Sequence, residues 1–490
     1  MKNKIIISVL LISLIFSSCG DDFLETEPTQ FMSDQQIKAA TALDPNLAKA
    51  SLTGVYSFMP ARFVGGTTGH DDFGHKSQDI FGDMLCSDMA LTASPYGWYR
   101  TIVQLTNTTD YTLNQTYIVW RYYYRVIQGA NSVIDGFGGN DAVLTTDAQR
   151  WNMGQAKALR AYAYFYLAQF YQKSYNPSEL ILPIYKDTKV PNQPKSSAAD
   201  VYKLITDDLT EAVTLLATYN REAKYQINRH VAKALLAYAY GAMGDYSKVK
   251  TLTQEVITQG GFPLTTKAQA IGGFNDVNTA SWMWGFDVTL ANNLDLVSWW
   301  GQVDSFTYSY QWAGDRKAID KGLFDQIKST DVRKSQFLQS TTSYNLSCQG
   351  KFYDPAKIIG GQRNVTTDYI YMRIDEMYLL NAEASAKTGD EGNAKTKLKD
   401  ILSRRFDNAA DYAYIDALTG TALQNEIYLQ TRIEFWGEGK SYLAMKRTKA
   451  TVTRGTNHLY LAGQSFLHDD PKLTFLIPQN EILNNPHINN

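Results

Sequence analysis

Large apolar side chains recur three or four positions apart through much of this chain, and that period predicts helices. In the stretch from Trp151 to Tyr171 ("WNMGQAKALRAYAYFYLAQFY") the large residues Leu159, Tyr162, Tyr166 and Phe170 lie on one face, with Ala158, Ala161, Ala163 and Ala168 between them. Val201 to Leu216 repeats the period behind candidate caps at Ser196, Ser197 or Asp200. Two further stretches resemble each other, one beginning at Ala232 and one at Asn381, and both read helix, turn, helix. Their turns centre on Gly244-Asp245 and Gly389-Asp390, where glycine can leave a helix at positive φ and aspartate can cap the next one. Alternating small and large residues before such a turn are the mark of a tetratricopeptide-like helical pair. Trp282, Trp284 and Phe286 keep a period of two instead, which predicts a short strand with one buried face. The expected fold is therefore mainly α, a superhelical scaffold of irregular helical pairs with long loop-rich insertions and a few short strands.

Two regions break the helical pattern. Asp44 to Asp110 is rich in Gly, Thr, Ser and Asp, and Phe262 to Trp312 holds five of the nine Trp. Long irregular segments inside a compact domain usually carry function, so a ligand is expected to be met there. Gly272-Gly273 and Gly360-Gly361 read as turns, and the chain contains no Walker-type or dinucleotide glycine pattern.

The start of the chain is of a different kind. Lys2 and Lys4 precede an apolar run from Ile5 to Phe16, which matches the hydrophobic part of a secretory signal. The run is too short for a transmembrane helix, which needs roughly 20 apolar residues. It stops at Cys19, behind the small residues Ser17 and Ser18 and ahead of Asp21-Asp22. Phe16-Ser17-Ser18-Cys19 resembles a bacterial lipoprotein box, which implies removal of residues 1–18, acylation of Cys19, and a protein anchored on a membrane that it does not cross. Asp21-Asp22 resembles the signal that exports some lipoproteins to the exterior face of an outer membrane.

Composition narrows the function classes. The formal net charge is −2, so no basic field invites nucleic acid. Cys86 and Cys348, the two cysteines besides Cys19, lie far apart in sequence and read equally as one disulfide or as two buried thiols, with no zinc spacing. Tyrosine stands out at 32 residues, and aromatic residues reach 13%. That excess suits either helix packing or a surface for stacking on a ligand.

A series of motifs, in order, resembles the SusD/RagB family of outer-membrane nutrient-binding lipoproteins along nearly the whole chain. It runs from "DDFLETEP" (21–28) through "SDMA" (87–90), "VWRYYYRVIQGANSVI" (119–134) and "AKALRAYAYFYLAQFYQKSYNP" (156–177). It continues with "DVR" (331–333), "YIYMRIDEMYLLNAEA" (369–384), "TRIEFWGEGKSYLAMKR" (431–447) and "LIPQNEILNNP" (476–486). The resemblance implies a single domain over 19–490, with an N-terminal region 19–220 and a C-terminal region 221–490 that contains the aromatic-rich insertion 262–312. It implies a cell-surface protein that captures oligosaccharide and delivers it to a SusC-like TonB-dependent transporter, with no cofactor. Some family members take peptides instead, and a peptide-binding RagB-like role is the alternative.

The expected ligand contacts are Tyr96, Trp98 and Arg100 of "SPYGWYR", and Trp299, Trp300, Tyr308 and Tyr310 of "SWWGQVDSFTYSY". A sugar ring offers an apolar C–H face that covers a flat aromatic, while its hydroxyls need Arg, Asn or Asp. A surface glycoside hydrolase is the enzyme reading, since hydrolysis needs two carboxylates at a set separation in space. No catalytic pair is assigned, there is no Gly-x-Ser-x-Gly nucleophile elbow, and "GHDDFGHK" (69–76) reads as a polar loop before it reads as a metal site.

Overall fold

The computed structural model describes residues 45–488. The signal segment, Cys19 and the acidic stretch after it lie outside the described residues. The helices that shape the molecule are α1 (Pro45–Phe58), α2 (His75–Leu85), α3 (Asn114–Gly136), α4 (Asp147–Tyr171), α5 (Ala198–Leu215), α6 (Arg229–Met243) and α7 (Tyr246–Gln259). After a long insertion come α8 (Ile374–Lys387), α9 (Glu391–Leu402), α10 (Gly420–Glu434), α11 (Lys440–Thr448) and α12 (Gln479–Asn484). Short strands pair antiparallel in twos: β1 (Met89–Leu91) with β5 (Lys317–Ile319), β2 (Leu180–Pro183) with β3 (Lys195–Ser197), β4 (Trp282–Phe286) with β6 (Tyr369–Arg373), and β7 (Val452–Thr453) with β8 (Ser465–Phe466).

From α3 to α9 each helix packs on the next in the series. The stack crosses residue 220 without a break, and it resumes at α8 against α7 after the chain has left for the insertion. The protein is mainly helical, a tetratricopeptide-like stack with loop-rich insertions. Local chemistry sets the helix ends. The Ser197 hydroxyl accepts from the Asp200 N–H to start α5, and Thr146 and Gln149 form a capping box at α4. Gly244 ends α6 at φ 83° and Asp245 caps α7; Gly389 stands at φ 82° and Asp390 caps α9.

Helix α4 is buried from Asn152 to Tyr171, on every face. A helix so enclosed must satisfy its polar side chains internally. Arg160 does so with two hydrogen bonds of 2.8 Å to the Asp208 carboxylate on α5, and others to Asn131 and Asn140.

Two expectations change, and the open question of the two cysteines is decided. The strand at 282–286 exists, but all five of its residues are buried, because packed elements cover both faces of the two-stranded ladder. Segment 44–110 is not irregular throughout, since it contains α1 and α2, and every residue of α2 is buried. Cys86 and Cys348 are separate buried thiols.

Candidate functional site

The segment 94–100 forms a tight loop with Gly97 at φ 89° and Tyr99 at φ 62°. One residue from far along the chain fixes it. The buried Asp315 carboxylate accepts the backbone N–H of Tyr96 at 2.8 Å and of Trp98 at 2.9 Å. Arg100 closes the loop by donating from one Nη to the Ser94 carbonyl at 2.8 Å, and the residue remains exposed at the loop's edge. Tyr96 is left 60% exposed and Trp98 half-buried.

Trp98 lies flat on the His70 ring, with centroids 5.0 Å apart and planes 6° from parallel. Tyr310 meets both rings and Tyr96, and its hydroxyl hydrogen-bonds His70 Nδ1 at 2.7 Å. Burial holds the His70 imidazole below its ordinary value, so the ring is neutral at pH 7. The ion pair of Arg62 with Asp295 acts on the same imidazole. Segment 308–312 links this group to a second one. Tyr308 and Trp312 have centroids 5.3 Å apart, and the Arg363 guanidinium sits 4.0 Å from the Tyr308 ring centroid. Trp312 is 36% exposed and rests on the backbone of Gly360, where an added Cβ would lie 2.7 Å from the indole. The result is a ledge of Tyr96, Trp98, Tyr308 and Trp312, with Tyr310 bridging beneath and charged groups at its margins.

Trp299 and Trp300 are not part of that ledge. Each is 1% exposed and belongs to the hydrophobic core. Ser298 caps the single-turn helix Trp299–Val303 that carries them. The Trp300 indole donates to the Asp368 carbonyl at 3.2 Å, and Trp299 packs on Phe352 at 4.4 Å. Both rings anchor the insertion to the helices and have no face to offer a ligand. Tyr310 is also nearly buried, at 9%, so its role is to hold His70 and Trp98.

The residues of "GHDDFGHK" disperse. His70 joins the ledge; the Asp71 carboxylate accepts from Gln115, and burial pushes it up to about 6. Asp72 accepts the N–H groups of Gly65 and Thr67, and His75 is buried among Tyr123, Tyr162, Tyr166 and Tyr371. No group of three or more metal-ligating side chains occurs among the described residues. Sequence reasoning read His70 as part of a polar loop and not as a partner of Trp98, and it passed over Trp312 and Arg363. A signal for Trp312 was there in the spacing Tyr308, Tyr310, Trp312, while His70 and Arg363 come from loops with no period at all.

Comparison with known proteins bears on the same regions. Residues 305–489 match the model described as the SusD family, and residues 63–240 match the one described as starch-binding associating with outer membrane. The chain belongs to the SusD family. Among curated relatives, SusD-like protein P25 of Formosa agariphila is 21% identical over 290 residues, 58% of this chain and 51% of that protein. The chain spans about half the length of the curated relatives it matches. Among solved structures, a SusD-like carbohydrate binding protein from Bacteroides vulgatus superposes with a TM-score of 0.75 at 24% identity, covering 90% of this chain and 96% of that one. Surface glycan-binding protein A from Bacteroides thetaiotaomicron, solved in complex with laminarihexaose, superposes with a TM-score of 0.65 at 16% identity over 90% and 97% of the two chains. These likenesses establish a shared SusD fold.

Proposed function

We propose that this protein is a surface glycan-binding lipoprotein that holds an oligosaccharide on the ledge of Tyr96, Trp98, Tyr308 and Trp312 and passes it to a TonB-dependent outer-membrane transporter. The observation that carries the reading is the preformed loop 94–100, where a buried carboxylate holds two adjacent aromatic residues at the surface. A platform already ordered loses little conformational entropy when a sugar stacks on it. If each stacked ring removes ~100 Å² of apolar surface from water, it contributes roughly 2.5 kcal/mol. Two or three such rings, less an association cost of at least ~4 kcal/mol, give affinities between millimolar and micromolar. Binding of that strength suits capture followed by release. Family membership supports the assignment, as does the laminarihexaose complex of the related B. thetaiotaomicron fold. The exposed rings with charged groups beside them favour a glycan over a peptide, which would call for backbone donors and acceptors along a strand edge.

Trp98→Ala is the direct test. It should weaken binding of the cognate oligosaccharide at least tenfold in titration calorimetry against neutral plant, host and microbial glycans, and it should leave the thermal midpoint nearly unchanged. An unaltered affinity would remove the ledge from ligand binding, and accumulation of shortened product would make the protein a hydrolase.

The lipid anchor and its partner belong to the same proposal. Cys19 lies in the lipoprotein box described above, and two or more acyl chains anchor a domain stably where one does so only marginally. Cys19→Ala should release the protein from the outer membrane or leave its precursor uncleaved. Acyl-label incorporation that persists in the variant would refute the anchor, and protease shaving of intact cells that spares the wild type would refute the exterior orientation.

A further inference from the structure

A second concave site, sharing no residue with the aromatic ledge, lies between α3, the segment 185–192 and α12. It has a volume of about 420 Å³, within the ~300–1,000 Å³ of small-ligand sites. Its α3 wall is a stripe of Tyr117, Arg121, Tyr124 and Gln128, spaced by four, three and four residues along one helix face, with Arg125 beside it. The facing wall is pinned to the rest of the protein. The Asn192 amide donates to the Asn484 carbonyl at 2.7 Å, Asn485 donates to the Gln193 carbonyl at 2.9 Å, and the Trp120 indole donates to Glu481 at 3.1 Å. The Tyr124 hydroxyl donates to the Pro183 carbonyl at 2.9 Å. The cleft is therefore built before any ligand arrives.

Its charges are unevenly used. Asp187 accepts the N–H groups of Lys189 and Val190, and Glu481 accepts from Trp120 and Asn485, so both carboxylates are occupied in holding the walls. Arg121 has neither an ion-pair partner nor a hydrogen-bond acceptor among the described residues, although a guanidinium presents five N–H donors. Asp72, the carboxylate whose charge it feels, is engaged by Gly65 and Thr67. Arg125 stands one turn on, stacked on the Phe58 ring at 4.3 Å with one bond of 3.3 Å to the Val64 carbonyl. Partial burial and then the Arg121 charge hold its guanidinium below the ordinary value. Two like charges at this spacing repel each other, and an anion between them removes that repulsion while accepting paired N–H bonds. The tyrosine faces beside them suit the C–H face of a sugar ring, and the Gln128 and Asn480 amides suit its hydroxyls.

We propose that this cleft binds a carboxylate-bearing sugar, a unit of the uronic acid class, with Arg121 and Arg125 receiving the carboxylate. The class of ligand rests on the glycan reading above, whereas the lack of a carboxylate partner at either arginine does not.

The test is calorimetry of the mature protein with trisaccharides of galacturonic, glucuronic and mannuronic acid, and with the same trisaccharides after reduction of each carboxylate to an alcohol. At least one uronate should bind the wild type, more weakly as salt is raised, and its reduced form should bind at least tenfold more weakly. Affinity should fall at least tenfold in Arg121→Gln/Arg125→Gln. If loss of the Arg125 stack on Phe58 lowers the melting temperature of the double variant, Arg121→Gln alone carries the measurement. The proposal is overturned if none of the three uronates binds, if the reduced sugars bind equally, or if the arginine variants bind as the wild type does. It is equally overturned if those variants lose only co-purification with an outer-membrane transporter, which would make the cleft a protein interface. Neutral-glycan binding that depends on Trp98 is read separately, so either site can fail without the other.

Discussion

Glu434→Gln is expected to destabilise the protein by about 3–5 kcal/mol, the range for removing one member of a buried ion pair. Glu434 ends α10 and is 2% exposed. Its carboxylate accepts hydrogen bonds from Arg333 at 2.9 Å, Arg373 at 2.8 Å and Arg405 at 2.6 and 2.9 Å. Arg373 also donates to Glu438, which accepts from Lys351 at 2.6 Å, and Arg405 donates to Asp375. These fully buried groups come from the loops at 331–333, 351 and 405, the β6–α8 junction and the α10–α11 junction, so they tie the end of the insertion to the C-terminal helices. A neutral amide at 434 leaves Arg333, Arg373, Arg405 and Lys351 with only the carboxylates of Asp331, Asp375 and Glu438 to balance them, one buried negative charge too few. The loss is read as a lower urea midpoint at pH 7, and an unchanged midpoint would mean that the network adds nothing to stability.

Acid should act on the same network. The surrounding arginines hold Glu434 well below the ordinary glutamate value, and Arg373 with Lys351 brings Glu438 down to about 2, in each case against burial, which pushes upward. A folded value below the unfolded one means that the contribution is present above the unfolded value near 4.5 and is lost as pH falls from there through the folded value. The gap in urea midpoint between wild type and Glu434→Gln should therefore narrow as pH falls below about 4.5. A gap that stays constant over that window would contradict the assignment of charge to Glu434.

The second large effect concerns the paired tryptophans. Trp299→Ala and Trp300→Ala should each destabilise the protein by roughly 3–5 kcal/mol, as expected for removing a buried indole. Trp299 loses its contact with Phe352 and the Lys76 ammonium 5.3 Å from its ring; Trp300 loses the hydrogen bond to the Asp368 carbonyl. The two rings touch, with centroids 5.3 Å apart, so the double variant will depart from the sum of the singles. The folded fraction of either single variant should bind oligosaccharide with wild-type affinity. Normal stability with lost binding would return both rings to the ligand site.

That contrast shows where sequence reasoning stops. "SPYGWYR" and "SWWGQVD" look alike as strings, aromatic residues beside glycine and serine in an insertion. One is held at the surface because Asp315, more than 200 residues away, accepts its backbone N–H groups. The other is covered because Phe352, Asp368 and Tyr369 arrive over it. Nothing within either stretch records which partner will come.

Helix α2 makes the same point in reverse. His75, Lys76, Ser77, Gln78, Asp79 and Asp83 read as the composition of a solvated segment, yet all are buried. Lys76 bonds Asp79 at 2.5 Å, Asp83 accepts the Gly437 N–H at 2.6 Å, and His75 Nδ1 hydrogen-bonds the Tyr123 hydroxyl. Polar burial of this kind needs such partners: Lys76 finds its own one turn along α2, but those of His75 and Asp83 come from α3 and the turn at 437.

What this sequence determined by itself is what acts over a few residues: the helical period of α4 and α5, the Ser197 cap, and the glycine-aspartate turns at 244–245 and 389–390 that build the paired-helix stack. The ordered series of motifs was enough for the family. Tertiary structure alone decided which aromatics face solvent, that His70 lies under Trp98, and that Arg121 is left without a partner in its cleft. Periodicity and turn chemistry are local free energies, read from neighbouring residues. Exposure and charge pairing depend on contacts between segments hundreds of residues apart, and these exist only once the chain has folded.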